Sequence, residues 1–163
     1  MERIIALALP CYVANATPVI VAKLLRRTHP LDFGLFFIDG RRLLGDSKSI
    51  EGFVSGVAAG LLVGYLLSLY GLLSVSEAVP LSFGTMLGDA MGSFIKRRLG
   101  LPSGAPAPLL DQLAFLAVAL ALYSLVYGYI EASVAIILFL ITPPIHLATN
   151  VIAYKIKLKD KPW

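Results

Sequence analysis

The chain has 163 residues, of which 58% are apolar or aromatic and 15% are charged, with a net charge of +4. Soluble domains carry about 25% charged residues, whereas the mean hydropathy here is +0.82. These values exclude a disordered chain, a soluble nucleic-acid-binding protein and a disulfide scaffold, and they indicate an integral membrane protein.

Five apolar stretches follow one another along the chain. Each has roughly the length that a helix needs to cross about 30 Å of hydrocarbon. Helices are expected because the bilayer core offers backbone polar groups no other partner. The predicted spans are about 4–25, 53–73, 79–95, 113–129 and 132–153, and the third is the shortest and least apolar. The sequence therefore predicts one all-α transmembrane domain, residues 1–163, with five transmembrane helices.

The basic residues predict the orientation of these spans. Thirteen of the 14 lysines and arginines cluster at or after the ends of the first, third and fifth spans, and Arg3 alone precedes the first. An odd number of spans places the three clusters on one side. The positive-inside rule makes that side cytoplasmic and the N-terminus external. The two inner loops, 26–52 and 96–112, are then the loops long enough to carry chemistry.

Asp89 is an acid inside the third apolar span. An Asp at the centre of a membrane helix costs about 2.5–3.5 kcal/mol on insertion scales, so such residues usually mark functional sites. On a helix Asp89 shares a face with Gly92, Ser93 and Lys96, and Arg97 flanks that face. The alternative interpretation is that Asp89 only pairs with a cation from another helix.

Asp111 begins the fourth span. Taken alone, it is more typical of a first-turn acid that interacts with the helix dipole. Set beside Asp89, on a helix joined to it by one inner loop, it indicates a pair of carboxylates among cations. Hard oxygen ligands of this kind suit Mg²⁺, which sits between one or two carboxylates and substrate phosphates. The sequence offers no Cys/His cluster for zinc.

Both inner loops contain residue types that commonly bind phosphate. The second has the basic triplet Lys96-Arg97-Arg98, followed by a Gly/Pro-shaped turn. The first has glycines, arginines and Lys48-Ser49, without the spacing of a P-loop. For each loop the alternative is a solvated segment whose charges set topology or contact lipid headgroups.

Polar residues also occur in the first and last spans. Asn15 lies between two prolines, which predicts a kink in the first span. His146 and Asn150 follow a Pro pair and share one face of the fifth span. We interpret His146 as an interhelical hydrogen-bonding residue rather than a catalyst.

Taken together, these segments resemble the archaeal CDP-archaeol synthase family, a distant relative of phosphatidate cytidylyltransferase. The resemblance covers nearly the whole chain and is carried most strongly by Gly88-Asp89-Ala90-Met91-Gly92-Ser93-Phe94-Ile95-Lys96-Arg97-Arg98 with Leu110-Asp111-Gln112-Leu113. It is also carried by Lys48-Ser49-Ile50-Glu51-Gly52 and by the terminal patterns Ala14-Asn15-Ala16-Thr17-Pro18 and Lys159-Asp160-Lys161-Pro162-Trp163.

The resemblance implies a cell-membrane enzyme that transfers CMP from CTP to an unsaturated archaeal ether lipid phosphate on the cytoplasmic side. It implies Asp89 and Asp111 as Mg²⁺ ligands and catalytic residues, with Lys96 as a third catalytic residue. Phosphates of CTP would bind Lys48, Ser49, Lys96 and Arg97, and Gly45, Asp46 and Asn15 are lesser candidates. The expected partners are CTP and a membrane lipid phosphate, with no nucleic acid and no obligate protein partner.

Three other functions are alternatives to this one. A CTP-dependent polyprenol or lipid kinase is suggested by residues 48–52. A CDP-alcohol phosphotransferase is less favoured because the chain lacks a D-G-x-x-A-R run. A small multispan transporter would use Asp89 to bind a cation, but the five spans show no inverted repeat.

Overall fold

The computed structural model of the protein describes residues 1–25 and 27–162. Arg26, one of the predicted inner cations, and Trp163, part of the C-terminal pattern, lie outside the described residues. The described chain forms five α-helices: α1 (Glu2–Leu24), α2 (Ile50–Leu69), α3 (Val75–Arg98), α4 (Leu110–Tyr127) and α5 (Ala132–Lys155). The predicted all-α architecture is therefore confirmed.

The helix ends differ from the predicted spans by up to four residues, and the differences have local causes. Helix α2 ends at Leu69, earlier than predicted, because the chain turns at Gly71 with a φ of +67°. Helix α3 begins at Val75, earlier than predicted, because Ser74 and Glu77 form a capping box there. Such polar caps supply hydrogen bonds that an apolar pattern does not reveal.

Four of the described helices, namely α1, α2, α4 and α5, are long and apolar enough to cross a membrane by length and composition. Helix α3 does not reach that level of hydropathy. It packs against α1, α2 and α4 and buries 13 of its 24 residues. Because much of its surface meets protein rather than lipid, α3 can carry small and polar residues that a lipid-facing helix would avoid.

Glycines bring α2 close to α1. Four of them, spaced every fourth residue, are buried: Gly52, Gly56, Gly60 and Gly64. A Cβ added at Gly56 would lie 2.8 Å from the carbonyl oxygen of Ala14, and one at Gly60 would lie 3.0 Å from that of Pro10. This stripe therefore allows two helix backbones to approach closely, as is common for helices packed in membranes.

The two ends of the bundle differ in charge. Where α1 and α3 begin, Arg3 pairs with Glu77 at 3.2 Å, and Glu77 also accepts a hydrogen bond from the Tyr123 hydroxyl at 2.5 Å. Lys96 lies near the other end of α3, on the side of the two long loops. The structure thus separates Arg3 from the lysines and arginines of those loops by the length of a helix.

Candidate active site

The first long loop, residues 27–49, folds around the buried carboxylate of Asp32. Its Oδ2 accepts hydrogen bonds from the backbone amides of Leu44 and Gly45, both at 3.0 Å, and its Oδ1 accepts one from Gly34 at 3.1 Å. Arg42 donates to Oδ1 at 2.8 Å and to Oδ2 at 3.3 Å. Asp32 thereby fixes the backbone from which Gly45 and the residues after it extend.

The charge of Asp32 is stabilised by these contacts. Burial alone would raise the pKa of the Asp32 carboxyl because it penalises the charged form. The hydrogen bonds from Arg42 and from the amides of Leu44, Gly45 and Gly34 outweigh that effect and hold the pKa well below its usual range. The sequence interpretation missed Asp32, which had no distinguishing motif around it.

Arginines join the first loop to the end of α3. Arg41 donates to the carbonyl oxygen of Arg98 at 2.5 Å, and Arg98 donates to that of Arg42 at 2.6 Å. Arg98 also pairs with Asp39 at 3.1 Å. Part of the positive charge that predicts topology therefore holds the loop against the helix that carries Asp89.

Gly45 lies where the first loop meets the second. Its φ is +92°, a left-handed conformation that favours glycine. A Cβ at this position would lie 3.0 Å from both the Arg97 Nη1 and the Ser103 Oγ. Two residues later, the amide of Ser47 donates to Ser103 Oγ at 3.2 Å. Gly45 therefore lets the first loop approach the Arg97 guanidinium.

Lys48 reaches from the first loop to Asp89 on α3. The Lys48 Nζ lies 2.5 Å from Asp89 Oδ2, and each side chain is 24% exposed. Within the described chain, the second carboxylate oxygen of Asp89 accepts no hydrogen bond. The structure therefore brings together two of the predicted site residues and leaves one acid oxygen available to a ligand.

Lys96 and Asp111 form a second ion pair, which joins α3 to α4. The Lys96 Nζ lies 2.7 Å from Asp111 Oδ1 and donates to the carbonyl oxygen of Ala105 at 3.0 Å. Asp111 Oδ2 accepts from the amide of Ala107 at 2.8 Å. Asp111 thus lies in the first turn of α4, where an acid interacts favourably with the helix dipole. It also pairs with Lys96, a predicted site residue.

Arg97 is a buried cation with unused donors. It is 6% exposed, and its Nη2 donates to the carbonyl oxygen of Pro102 at 2.9 Å. Its Nε and Nη1 are buried and make no hydrogen bond in the part of the chain that the structure describes. A buried donor without a partner costs free energy, and a planar guanidinium fork matches the oxygens of a phosphate. The predicted role of Arg97 in binding a phosphate agrees with these donors and stays a prediction.

Of the three other predicted residues, Ser49 lines the pocket of Lys48 and Asp89, whereas Asp46 and Asn15 do not. Ser49 is the N-cap of α2, where its Oγ accepts from the amide of Gly52 at 3.1 Å. Asp46 pairs with Arg42 at 2.9 Å, but its side chain is 76% exposed. Asn15 is half-buried on α1 and is not among the residues that line the pocket of Lys48 and Asp89. For these three residues, as for Lys48, Asp89, Lys96, Arg97 and Asp111, a role in ligand binding or catalysis stays a prediction.

Lys159, which follows α5, was missed as a site residue. Its Nζ donates to Asn150 Oδ1 at 3.0 Å, and Asn150 Nδ2 lies 3.2 Å from His146 Nδ1. Burial lowers the pKa of Lys159, the charge of Asp111 opposes that shift, and the positive charge of Lys48 adds to it. Lys159 therefore lies within electrostatic range of the two ion pairs. The sequence signals were the lysine-rich terminus and the family-like pattern that begins at Lys159.

The two acids suit Mg²⁺ only together with a ligand. Among the described residues, no group of three or more His, Cys, Asp or Glu side chains could hold a metal ion. Mg²⁺ is commonly bound by one or two carboxylates and substrate phosphates, without an all-protein cage. Among the described residues, one oxygen of Asp89 and the Nε and Nη1 of Arg97 have no hydrogen-bond partner, and these atoms fit a site completed by a phosphate-bearing molecule.

Known proteins of one family match this chain. The family described as CarS-like CDP-archaeol synthase matches residues 1–163. The CDP-archaeol synthase of Thermofilum pendens is 49% identical over 158 residues, which cover 95% of this chain and 78% of the relative. That of Pyrobaculum calidifontis is 48% identical, with 100% of both chains covered.

A solved structure agrees with the sequence matches. It is described as an intramembrane enzyme for archaeal membrane lipids biosynthesis and superposes with a TM-score of 0.80. It is 43% identical, and the match covers 90% of this chain and 92% of that chain. Sequence and structure agree over nearly the full length, and the chain belongs to the CDP-archaeol synthase family.

Proposed function

We propose that the chain transfers CMP from CTP to an unsaturated archaeal ether lipid phosphate, giving a CDP-archaeol-type lipid and pyrophosphate. Its family membership supports this activity. The observation that carries the proposal is the buried Arg97 guanidinium, whose Nε and Nη1 have no partner among the described residues. It lies against Gly45 of the first loop, which also carries Lys48, and Lys96 precedes it on α3.

The reaction joins two anions. A phosphate oxygen of the lipid attacks the α-phosphorus of CTP, a new P–O bond forms, and the bond to the β-phosphate breaks. The electron pair leaves with pyrophosphate. A lipid phosphate monoester is largely ionised near neutral pH, so no strong base is required. Catalysis rests on positioning and on stabilisation of negative charge.

The side chains of the site supply that stabilisation. Arg97 binds phosphate oxygens of CTP through its unused donors, and Lys48 and Lys96 place positive charge beside the reacting groups. Gly45 and Ser49 shape the loop that carries Lys48. Because these groups lie on the first loop and on α3, the two reactants meet where that loop contacts the helix.

Asp89 and Asp111 are the residues that would hold Mg²⁺. When bound, Mg²⁺ would neutralise the phosphates and polarise the reacting phosphoryl group. Within the described chain each acid already faces a cation, since Lys48 pairs with Asp89 and Lys96 pairs with Asp111. The two lysines therefore hold the carboxylates in place.

We further propose that α3 crosses the cell membrane together with the other four helices and that the N-terminus is external. The site then faces the cytoplasm, from which CTP is drawn. The support is the distribution of charge, since Arg3 lies at one end of the bundle and the loop cations lie at the other.

Cysteine labelling tests this orientation. In a Cys11→Ala background, Glu131→Cys and Asp160→Cys place single exposed thiols near the two ends of α5. A membrane-impermeant maleimide added to intact cells should label the Glu131→Cys protein and spare the Asp160→Cys protein. The opposite pattern, or equal labelling of both, contradicts the proposed orientation.

The activity is tested with purified protein, labelled CTP, Mg²⁺ and an archaeal ether lipid phosphate. The products should be CDP-lipid and pyrophosphate, formed without any added protein partner. Release of CDP and a phosphorylated lipid would instead indicate the kinase. Incubation without Mg²⁺ tests the metal requirement separately.

Arg97→Lys tests the observation on which the proposal rests. It keeps the charge but removes the guanidinium fork, and hydrogen bonds to charged groups are worth about 1.5–3 kcal/mol. We expect kcat/KM for CTP to fall about 10- to 100-fold. The matched control is Arg27→Lys at an exposed position. An Arg97→Lys protein as active as this control would remove Arg97 from the site.

A further inference from the structure

An apolar groove runs beside the ion pair of Lys48 and Asp89. It has a volume of about 380 Å³ and lies between α2, α3 and the first loop. Its lining includes Leu31, Leu44, Phe53, Leu87, Met91 and Ile95. Every residue that lines it is apolar, although charged side chains lie a short distance away.

The groove continues into the pocket of Lys48 and Asp89. Leu31, Phe53 and Ala90 line both spaces. Ala90 follows Asp89 directly on α3, so two adjacent residues contribute the apolar lining and the carboxylate. A molecule bound across this boundary would place a charged end at Lys48 and an apolar end in the groove.

The other end of the groove faces outward from the bundle. Met91 is 47% exposed and Ile95 is 40% exposed, and both lie on α3. These side chains occupy the part of the helix that precedes the basic triplet. In a membrane, this opening would give hydrocarbon chains a sideways path from the bilayer to the ion pair.

We propose that this groove binds a hydrocarbon chain of the lipid phosphate substrate, with the phosphate at Lys48. The inference rests on the proposed function and names the place of its second substrate. The volume lies within the range of about 300–1,000 Å³ that is usual for small-molecule sites. It holds the part of the chain nearest the headgroup, and the remainder extends past Met91 into the bilayer.

The chemistry of the groove excludes the base of CTP as its occupant. A cytosine has hydrogen-bonding groups along its edge, and burying them without partners is costly. The groove offers apolar side chains alone. A branched hydrocarbon loses nothing there and gains from burial of its apolar surface. The site therefore separates its two substrates by polarity.

Photo-crosslinking tests the location without any turnover. The probe is an ether lipid phosphate with a diazirine in the chain close to the headgroup, bound to the full-length protein without CTP. Mass spectrometry should find the label on groove residues such as Phe53, Met91 and Ile95. Unlabelled lipid phosphate should compete, and the corresponding lipid alcohol should compete less. Label spread evenly over the lipid-facing surfaces of α1, α4 and α5 overturns the proposal.

Met91→Trp tests the same groove kinetically. The larger side chain should fill the groove and raise the KM for lipid phosphate at least about tenfold, while the KM for CTP changes little. The matched control is Val54→Trp, a residue of α2 that is 61% exposed and does not line the groove. Equal lipid KM values for Met91→Trp and Val54→Trp overturn the proposal.

Failure of this inference differs from failure of the proposed function. If CDP-lipid forms normally but the label and the Met91→Trp effect lie elsewhere, the activity stands and the groove is wrong. If no CDP-lipid forms from CTP, the activity is wrong, and crosslinking alone decides whether the groove binds the lipid phosphate.

Discussion

The ammonium group of Lys48 lies 2.5 Å from the carboxylate of Asp89, although 41 residues separate them in the sequence. A second pair, Lys96 and Asp111, spans 15 residues at 2.7 Å. Each acid is thus held by a lysine from another segment. The two pairs connect the first loop to α3 and α3 to α4, and a mutation can break each of them.

Replacement of either acid by its amide should abolish activity and leave the fold intact. Asp89→Asn and Asp111→Asn keep the side-chain size but remove the negative charge that Mg²⁺ and a lysine require. We expect CDP-lipid formation to fall at least about 100-fold, since removing groups that merely orient a metal ligand already costs about 10- to 100-fold. Product formation and the melting temperature in detergent are both measured.

The control for these variants is Glu131→Gln, an exposed acid that precedes α5. It makes the same chemical change away from the site and should retain full activity. Near-normal turnover of either the Asp89→Asn or the Asp111→Asn protein would contradict the metal assignment.

Gly45→Ala should damage CTP binding as well as stability. At the left-handed φ of +92°, a residue with a Cβ is destabilised by roughly 1–2 kcal/mol. The added Cβ would also lie 3.0 Å from Arg97 Nη1 and from Ser103 Oγ. The matched variant Gly104→Ala has a φ of +76° with nothing within 4 Å. Both variants should melt earlier, but Gly45→Ala alone should raise the KM for CTP. Equal KM values would show that Gly45 does not shape the phosphate site.

Asp32 should make the stability of the first loop depend on acidity. Its pKa is lower in the folded protein than the ordinary value of 3.8. Such a carboxyl stabilises the fold above its unfolded pKa, and the contribution is lost as the pH falls through the folded pKa. Asp32→Asn replaces one carboxylate oxygen by an NH2 group. The N–H groups of Arg42, Leu44 and Gly45 would then face a donor where they now have an acceptor. We expect it to cost about 1–3 kcal/mol at neutral pH.

The measurement is thermal unfolding of both proteins in detergent from pH 7 downward, with amide exchange at Leu44 and Gly45. The stability difference between wild type and Asp32→Asn should shrink as the pH falls below 3.8. A difference that stays constant over this range would show that the charge of Asp32 does not stabilise the loop.

Two glycines one turn apart on α3 should respond oppositely to alanine. A Cβ at Gly88 would lie 2.5 Å from the carbonyl oxygen of Ala114 and 2.7 Å from the Cα of Phe115, so α3 and α4 must separate. Overpacking of this kind costs about 1–3 kcal/mol. A Cβ at Gly92 meets its nearest atom, on Ala114, at 3.4 Å. Gly92→Ala should therefore be neutral or gain up to about 1 kcal/mol from helix propensity.

Melting temperatures in the same detergent compare the two variants. A Gly88→Ala protein as stable as wild type would show that α3 and α4 are not in close backbone contact. A large loss for Gly92→Ala would show that the contact extends one turn further toward the site.

The apolar pattern by itself determined the five helices, because hydrophobic runs of this length are a local property of the sequence. The sequence also indicated Asp89, Asp111 and Lys96 as candidate site residues, since charged residues are rare in apolar segments. Their residue types indicated phosphate and metal chemistry before any contact was known. The sequence predicted the central position of α3 less clearly. The low hydropathy of α3 is typical of a helix that packs against protein.

Only the tertiary structure decided which charges meet. Lys48 could have paired with any acid near its end of the bundle, and the choice of Asp89 depends on a loop that folds around Asp32. Lys159 comes within electrostatic range of both ion pairs because the segment after α5 packs against Asn150. The apolar groove arises where three segments leave space between them. Such partnerships depend on long-range packing, which local patterns do not encode, whereas the helices depend on the immediate neighbours in the chain.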